Sequence, residues 1–135
     1  MKLLELGCVA LGGSIGAVLR YAISKTILEL RPSAPFPWGT LAVNVLGCFL
    51  LGLLMTLIHE RGVFRPELRL ALTTGLLGAL TTFSTFGYET LRLAEKESLT
   101  MAALNVGANL TVGFLAVALG GLCASRLGPL LLGGE

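Results

Sequence analysis

The feature that most constrains the fold is a set of long segments without a charged side chain. Residues 32–58, 70–88 and 98–125 contain no Asp, Glu, Lys or Arg, and each segment has 19 residues or more. A helix needs about 20 apolar residues to cross the hydrocarbon core of a bilayer. Only 13% of the 135 residues are charged, whereas a soluble domain carries about 25%. The sequence therefore predicts at least three membrane-spanning helices.

The first segment, residues 3–30, is less clearly a membrane span. Its longest uncharged stretch has only 14 residues and ends just before Arg20. It could cross the bilayer or lie on its surface. Gly12 and Gly16 favour the crossing helix, because small residues four apart let two helices approach closely. Glu5 interrupts the apolar stretch, which argues against a cleaved signal peptide. We therefore expect an all-α integral membrane protein with four transmembrane helices in a single domain, residues 1–135.

The basic residues do not choose one orientation in the membrane. With four spans, five basic side chains fall on one side and four on the other, so the usual excess of Lys and Arg on the cytoplasmic side is almost absent. A weak bias could still select one orientation, or the chain could insert both ways, which would permit an antiparallel dimer. The two groups are Lys2, Arg61, Arg65, Arg69 and Arg126, and Lys25, Arg31, Arg92 and Lys96.

The third apolar segment carries an unusual cluster of hydroxyl groups, in the stretch LTTFSTFGYET at residues 80–90. Glycine lets a helix open, and Thr hydroxyls can satisfy carbonyl groups that are freed at a break. We therefore expect the third helix to be broken near its middle, between Gly78 and Thr82. Freed carbonyls would form a small oxygen cage that suits an alkali cation. Phe83 and Phe86 project from nearly one face, and the positive edge of a phenylalanine ring can face an anion.

Asparagines lie inside two of the other predicted spans. Asn44 shares a helical face with Thr40, Gly47 and Leu51, and its amide offers two donors and an acceptor. Asn105, Asn109 and Gly113 lie four apart on one face of the last span. For both groups, two interpretations are open: hydrogen bonds that hold the helices together, or the wall of a polar path.

Several classes of protein are disfavoured by what the sequence contains. The three cysteines fall in separate apolar segments without the short spacing of a metal motif, so we interpret them as small packing residues. His59 is the one histidine, and no nucleophile and base occur at a suitable spacing. The net charge of +2 is too small to indicate nucleic acid. We therefore do not expect an enzyme. The cysteines are Cys8, Cys48 and Cys123.

Three segments together resemble the Fluc/CrcB family of fluoride channels. They are GGSIGAVLRY at 12–21, GTLAVNVLGCFLLG at 39–52 and GLLGALTTFSTFGYET at 75–90. The resemblance implies a four-helix protein of the plasma membrane that inserts in both orientations and pairs as an antiparallel homodimer. It also implies two pores that conduct fluoride passively out of the cytoplasm and protect the cell from fluoride. It places those pores at Asn44, Thr82, Phe83, Ser84 and Phe86. We add Asn109 to this set, because it lies on the polar face of the last span and its amide can donate.

The resemblance also implies a structural Na⁺ ion at the dimer axis. Gly78 and Thr81 match the positions whose backbone carbonyls hold that ion, and Arg20 matches an arginine at the aqueous vestibule, where positive charge raises the local anion concentration. One departure concerns the last span, where the family commonly has a tyrosine and serines and this chain has Asn105 and Asn109.

Two other functions compete with that of a channel. A small multidrug-type, proton-coupled exporter also has four helices, but it needs a carboxylate inside the first span, and here Glu5 and Glu29 lie at its two ends. A membrane scaffold without transport would use buried polar groups only to join helices, and it accounts poorly for the hydroxyl cluster beside two phenylalanines.

Overall fold

Helices make up most of residues 2–62 and 64–131, which are the residues described by this computed structural model. The side chain of Arg61, counted above among the basic residues, lies outside that description, as do the side chains of residues 127–131. The helices are α1 (Leu3–Leu30), α2 (Trp38–Arg61), α4 (Phe83–Lys96) and α5 (Leu99–Leu131). Between α2 and α4, the segment that we call α3 consists of an α-helix (Pro66–Leu70), a π-helix (Ala71–Leu77) and a final α-helical turn (Gly78–Leu80).

Four stretches of the described residues are helical, long and apolar enough to cross a membrane. The third of them combines α3 and α4, and the others correspond to α1, α2 and α5. The predicted all-α architecture with four spans is thereby confirmed. The stretches are Leu3–Leu30, Trp38–Glu60, Pro66–Lys96 and Leu99–Arg126.

The turn between α2 and α3 is shaped by one glycine and one arginine. Gly62 has a φ of 60°, which glycine adopts without steric cost, and its N–H donates to Ile58 O at 3.1 Å. Arg69 then donates from Nε to Phe64 O at 3.0 Å and from its terminal nitrogen to Gly62 O at 3.3 Å. These bonds satisfy carbonyls that have no partner in the helix and fix where α3 begins.

Close backbone contact joins α1 to α3. A β-carbon at Gly12 would overlap the carbonyl oxygen of Ala71, and one at Gly16 would overlap that of Leu76. The two glycines expected to lie at a helix interface therefore do so, and their partner is the π-helix. The same device joins α2 to α5, where Gly52 lies against the backbone of Val117.

The apolar core lies where α2 meets α3. Val43, Leu77 and Leu80 are almost completely buried and form one cluster. Leu80 is the last helical residue of α3, so the core lies directly before the point at which the third span leaves the helical conformation. Partly buried side chains surround the cluster: Ile23, Leu50, Leu54 and Leu76.

Candidate functional site

The backbone of the third span leaves the helical conformation between α3 and α4. Thr81 has φ −82° and ψ 157°, and Thr82 has φ −148° and ψ 118°, which are extended conformations. The Thr82 hydroxyl oxygen accepts a hydrogen bond from the N–H of Thr85 at 3.2 Å, which is the usual role of threonine at a helix N-terminus. Two consecutive threonines therefore form the junction, and the second of them caps α4.

Asn44 on α2 bonds to both backbone groups of Thr82. Its Oδ1 accepts from the Thr82 N–H at 2.8 Å, and its Nδ2 donates to the Thr82 carbonyl at 3.2 Å. Nδ2 also donates to Oδ1 of Asn109 on α5 at 2.9 Å. Because a backbone N–H only donates and a carbonyl only accepts, the orientation of the Asn44 amide is determined. Both of its amide protons are used inside the chain.

In a continuous helix, two carbonyl oxygens would accept from N–H groups that here bond elsewhere. The oxygen of Gly78 would accept from the N–H of Thr82, which instead donates to Asn44. The oxygen of Thr81 would accept from the N–H of Thr85, which instead donates to the Thr82 hydroxyl. Carbonyl oxygens released in this way are suitable ligands for a hard cation. Among the described residues, no group of three or more His, Cys, Asp or Glu side chains offers a metal site.

The two phenylalanines at the start of α4 are neighbours in very different environments. Their ring centroids are 5.6 Å apart and the rings are tilted by 54°. Phe86 is 9% exposed, whereas Phe83 is 82% exposed. One ring is therefore part of the protein interior, and the other projects from the surface of the single chain.

A cavity of about 330 Å³ brings most of the predicted site residues together. It lies between α2, α3, the start of α4 and α5, and both phenylalanines line it. Ser84 and Arg20 are not among the lining residues; Ser84 is exposed in the first turn of α4, and Arg20 is half-buried on α1. The predicted residues that do line the cavity are Asn44, Gly78, Thr81, Thr82, Phe83, Phe86 and Asn109.

Comparison with known proteins assigns the chain to a family. Residues 7–121 match the family described as CrcB-like protein, Camphor Resistance (CrcB). A protein of Acidobacterium capsulatum named fluoride-specific ion channel FluC is 48% identical over 119 residues, which are 88% of this chain and 94% of that protein. FluC 1 of Methanosarcina acetivorans is 45% identical over 93% of this chain and 94% of its own length, and FluC of a Shewanella species (strain ANA-3) is 52% identical over 83% and 89%.

The chain belongs to the CrcB family. The matched region contains all three segments on which the resemblance rested, so that identification is confirmed. The CrcB relatives carry the name of an ion channel, and the chain is not an enzyme. With four helices able to span a bilayer, this CrcB chain is a multi-pass membrane protein.

The structure also decides between the two interpretations of Asn105. This side chain is 0% exposed, and its Nδ2 donates to the hydroxyl of Thr90 on α4 at 2.8 Å. Asn105 therefore joins two helices and does not face the cavity. Asn109 does both, since it lines the cavity and bonds to Asn44. The pairing with Thr90 was missed from the sequence, because nothing in the periodicity of α5 indicates which helix its asparagines face.

Two further residues of this CrcB chain were missed. Glu89 directly follows the uncharged segment 70–88, and its Oε2 has less than 1 Å² of exposed surface and no hydrogen-bond partner among the described residues. It lines a second cavity, of about 510 Å³, together with Thr40, Arg31 and Arg92. Cys48, for which the sequence indicates only a packing role, lines the cavity of the phenylalanines. An acidic residue at the end of an uncharged segment is a signal that the sequence did contain.

Proposed function

We propose that this chain is a fluoride channel that lets fluoride leave the cytoplasm passively across the plasma membrane. The names of the CrcB relatives support fluoride as the ion. The observation that carries the proposal is the cavity in which two phenylalanine rings adjoin the polar groups of Asn44, Thr82 and Asn109. The first turn of α4 also lines this cavity, and its backbone N–H groups can serve as fixed donors to an ion that leaves water.

A site for fluoride first requires hydrogen-bond donors that replace water. An ion without partners in an apolar medium loses hydration free energy on the order of tens of kcal/mol. The start of α4 supplies them. Backbone N–H groups in the first turn of a helix lack helical partners, and the helix dipole adds positive potential there. Ser84 is exposed and its hydroxyl has only a long contact, 3.5 Å, with the hydroxyl of Thr82, so it can turn its proton to an anion. The hydroxyl of Thr82 already donates to Thr85 Oγ1 at 2.9 Å.

The phenylalanines are the second requirement. A ring edge carries partial positive charge, so Phe83 and Phe86 can face fluoride from the side opposite the donors. Hydroxyl and amide donors bind an ionised acceptor with short, strong bonds, and the ring edges complete the shell without offering an acceptor that would repel the ion. Asn44 and Asn109 form the adjoining wall of the pore. Arg20, on α1, raises the anion concentration in the aqueous vestibule.

The channel is proposed to be an antiparallel homodimer with two pores along the interface. Phe83 supports this assignment because a ring that is 82% exposed in one chain gains a closed environment when a second copy covers the cavity. The nearly equal numbers of basic residues on the two sides of the membrane permit insertion in both orientations. A two-fold axis then places the same interface residues of each copy opposite one another.

A structural Na⁺ ion is proposed at the axis of this dimer, within the break of the third helix. The carbonyl oxygens of Gly78 and Thr81 fit such an ion, since the N–H groups of Thr82 and Thr85 that would bond to them are engaged elsewhere. Two such carbonyls from each copy would give four oxygen ligands. When bound, the ion would hold the two broken helices together.

Fluoride efflux from liposomes tests the proposal. Purified protein in liposomes loaded with potassium fluoride should release fluoride once valinomycin carries the compensating potassium, and release should need no pH gradient. Phe83→Ile should reduce the rate at least about tenfold, because it removes the ring edge but keeps an apolar side chain. Phe114→Ile is the matched control, since Phe114 is 74% exposed and does not line the cavity.

Three outcomes would contradict the proposal. The absence of fluoride release from a folded dimer would exclude a fluoride channel, and release that depends on a proton gradient would indicate a coupled exporter. Equal rates for the two phenylalanine variants would show that the rings at the start of α4 only pack. Chloride in place of fluoride should not leave the liposomes at a comparable rate.

A further inference from the structure

A chain of side-chain hydrogen bonds leaves the cavity and returns to α4 at another point. Nδ2 of Asn109, whose Oδ1 accepts from Asn44, donates to Asn105 Oδ1 at 3.1 Å and to the backbone carbonyl of Asn105 at 3.0 Å. Nδ2 of Asn105 donates to the hydroxyl of Thr90 at 2.8 Å, and that hydroxyl donates to the carbonyl of Phe86 at 2.8 Å. Since Asn44 bonds to Thr82, the hydrogen bonds run from Thr82 through α2 and α5 back to α4.

The direction of every bond is fixed by the two ends. The first donor is the backbone N–H of Thr82, which cannot accept, and the last acceptor is the carbonyl of Phe86, which cannot donate. Each asparagine between them therefore has one orientation. The hydroxyl of Thr90 both accepts and donates, so it forms two consecutive links.

We propose that Thr90 and Asn105 are positioning residues for conduction, acting on the turn 82–86 that carries both phenylalanines. The proposal rests on the proposed channel function. Asn105 is 0% exposed and, like Thr90, does not line the cavity, so neither residue touches the ion. They act by holding the turn at both of its ends, through Thr82 at one end and Phe86 at the other.

Thr90→Val tests this role, because valine has the shape of threonine without the hydroxyl group. It removes the link from Asn105 and the link to Phe86, while Thr90→Ser keeps both. Thr111→Val is the matched control, since the Thr111 hydroxyl also bonds to a carbonyl four residues earlier, Gly107 O at 2.6 Å, but is exposed on α5. All three variants are compared with the wild-type dimer in the same detergent and lipid.

Amide hydrogen exchange measures how firmly the turn 82–86 is held, and it does so without fluoride. In Thr90→Val, the N–H of Thr82 should exchange faster, by up to about five- to tenfold. The loss of one hydrogen bond sets this upper limit, because the bond of Thr82 to Asn44 remains and only the support of Asn44 is weakened. Exchange should be unchanged in Thr90→Ser and Thr111→Val. Equal exchange in Thr90→Val and wild type would overturn the proposal, as would equally faster exchange in the Thr111 control.

Fluoride efflux then tests whether the position matters for conduction. We expect Thr90→Val to conduct about tenfold more slowly, by the same reasoning, and Thr90→Ser to restore the wild-type rate. If Thr90→Val made the Thr82 N–H exchange faster but left the rate of fluoride efflux unchanged, the role in conduction would be overturned. If wild-type protein itself released no fluoride, the proposed channel function would fail and the positioning role in conduction with it, while the exchange data would still show whether Thr90 holds the turn.

Discussion

Removal of the Asn44 amide should destabilise the protein by an amount that the structure specifies. Asn44→Ala deletes three hydrogen bonds, two to the backbone of Thr82 and one to Asn109. Hydrogen bonds between helices in a membrane contribute about 1 kcal/mol each. The free energy of unfolding should therefore fall by about 2–3 kcal/mol.

The same substitution should weaken the proposed cation site. Without Asn44, the N–H of Thr82 can donate to Gly78 O, as in a continuous helix, and this carbonyl is then less available to Na⁺. The protein should therefore lose most of the stabilisation that added NaCl gives relative to the same concentration of N-methylglucamine chloride.

Unfolding by sodium dodecyl sulfate in mixed micelles, followed by tryptophan fluorescence, measures both effects. Trp38 is the one tryptophan and lies at the first residue of α2, so it reports on that helix. Thr111→Ala is the control, because it removes an exposed hydroxyl that bonds within its own helix. A loss below about 0.5 kcal/mol for Asn44→Ala would refute the reasoning, since it would mean that other groups replace all three bonds.

Two other substitutions test the packing and the buried charge. Gly16→Val should prevent folding or greatly lower the yield of folded protein, because its β-carbon would overlap the carbonyl of Leu76. Gly7→Val should be tolerated, because Gly7 has open space around it. Equal yields of the two variants on size-exclusion chromatography would contradict the close contact. Glu89→Gln should raise the free energy of unfolding by about 1 kcal/mol, because it removes the charge from a half-buried carboxylate whose Oε2 has no partner among the described residues, while an amide oxygen can still accept from the Thr40 hydroxyl. An equal or lower value in the detergent titration would show that the charge is compensated.

Much of the architecture follows from patterns that act within one segment. The four spans could be predicted because a bilayer requires about 20 apolar residues and satisfied backbone groups. The pair Gly12 and Gly16 could be predicted as an interface because the small residues are four apart on one face. Several residues that line the cavity could be named in advance because the segments around Asn44 and Phe83 resemble those of a known family.

The partners across helices could not be predicted in this way. Asn105 bonds to Thr90, on a different helix, and the choice depends on how α4 and α5 rotate about their axes when they pack. The π-helix is another example, because its sequence ALTTGLL contains no proline, and its close contact with the glycines of α1 joins two distant parts of the chain. Rotation and contact of this kind are set by the whole bundle.

The π-helix Ala71–Leu77 has a consequence for changes in chain length. A π-helix closes its hydrogen bonds over five residues rather than four, so this stretch holds more residues per turn than an α-helix. Deleting one residue within it can return the stretch to α-helical bonding and leave Leu80 facing the core. Deleting one residue from the middle of α2 would instead turn everything beyond it by about 100°. Homologous chains should therefore differ in length by one residue at the π-helix more readily than in α2.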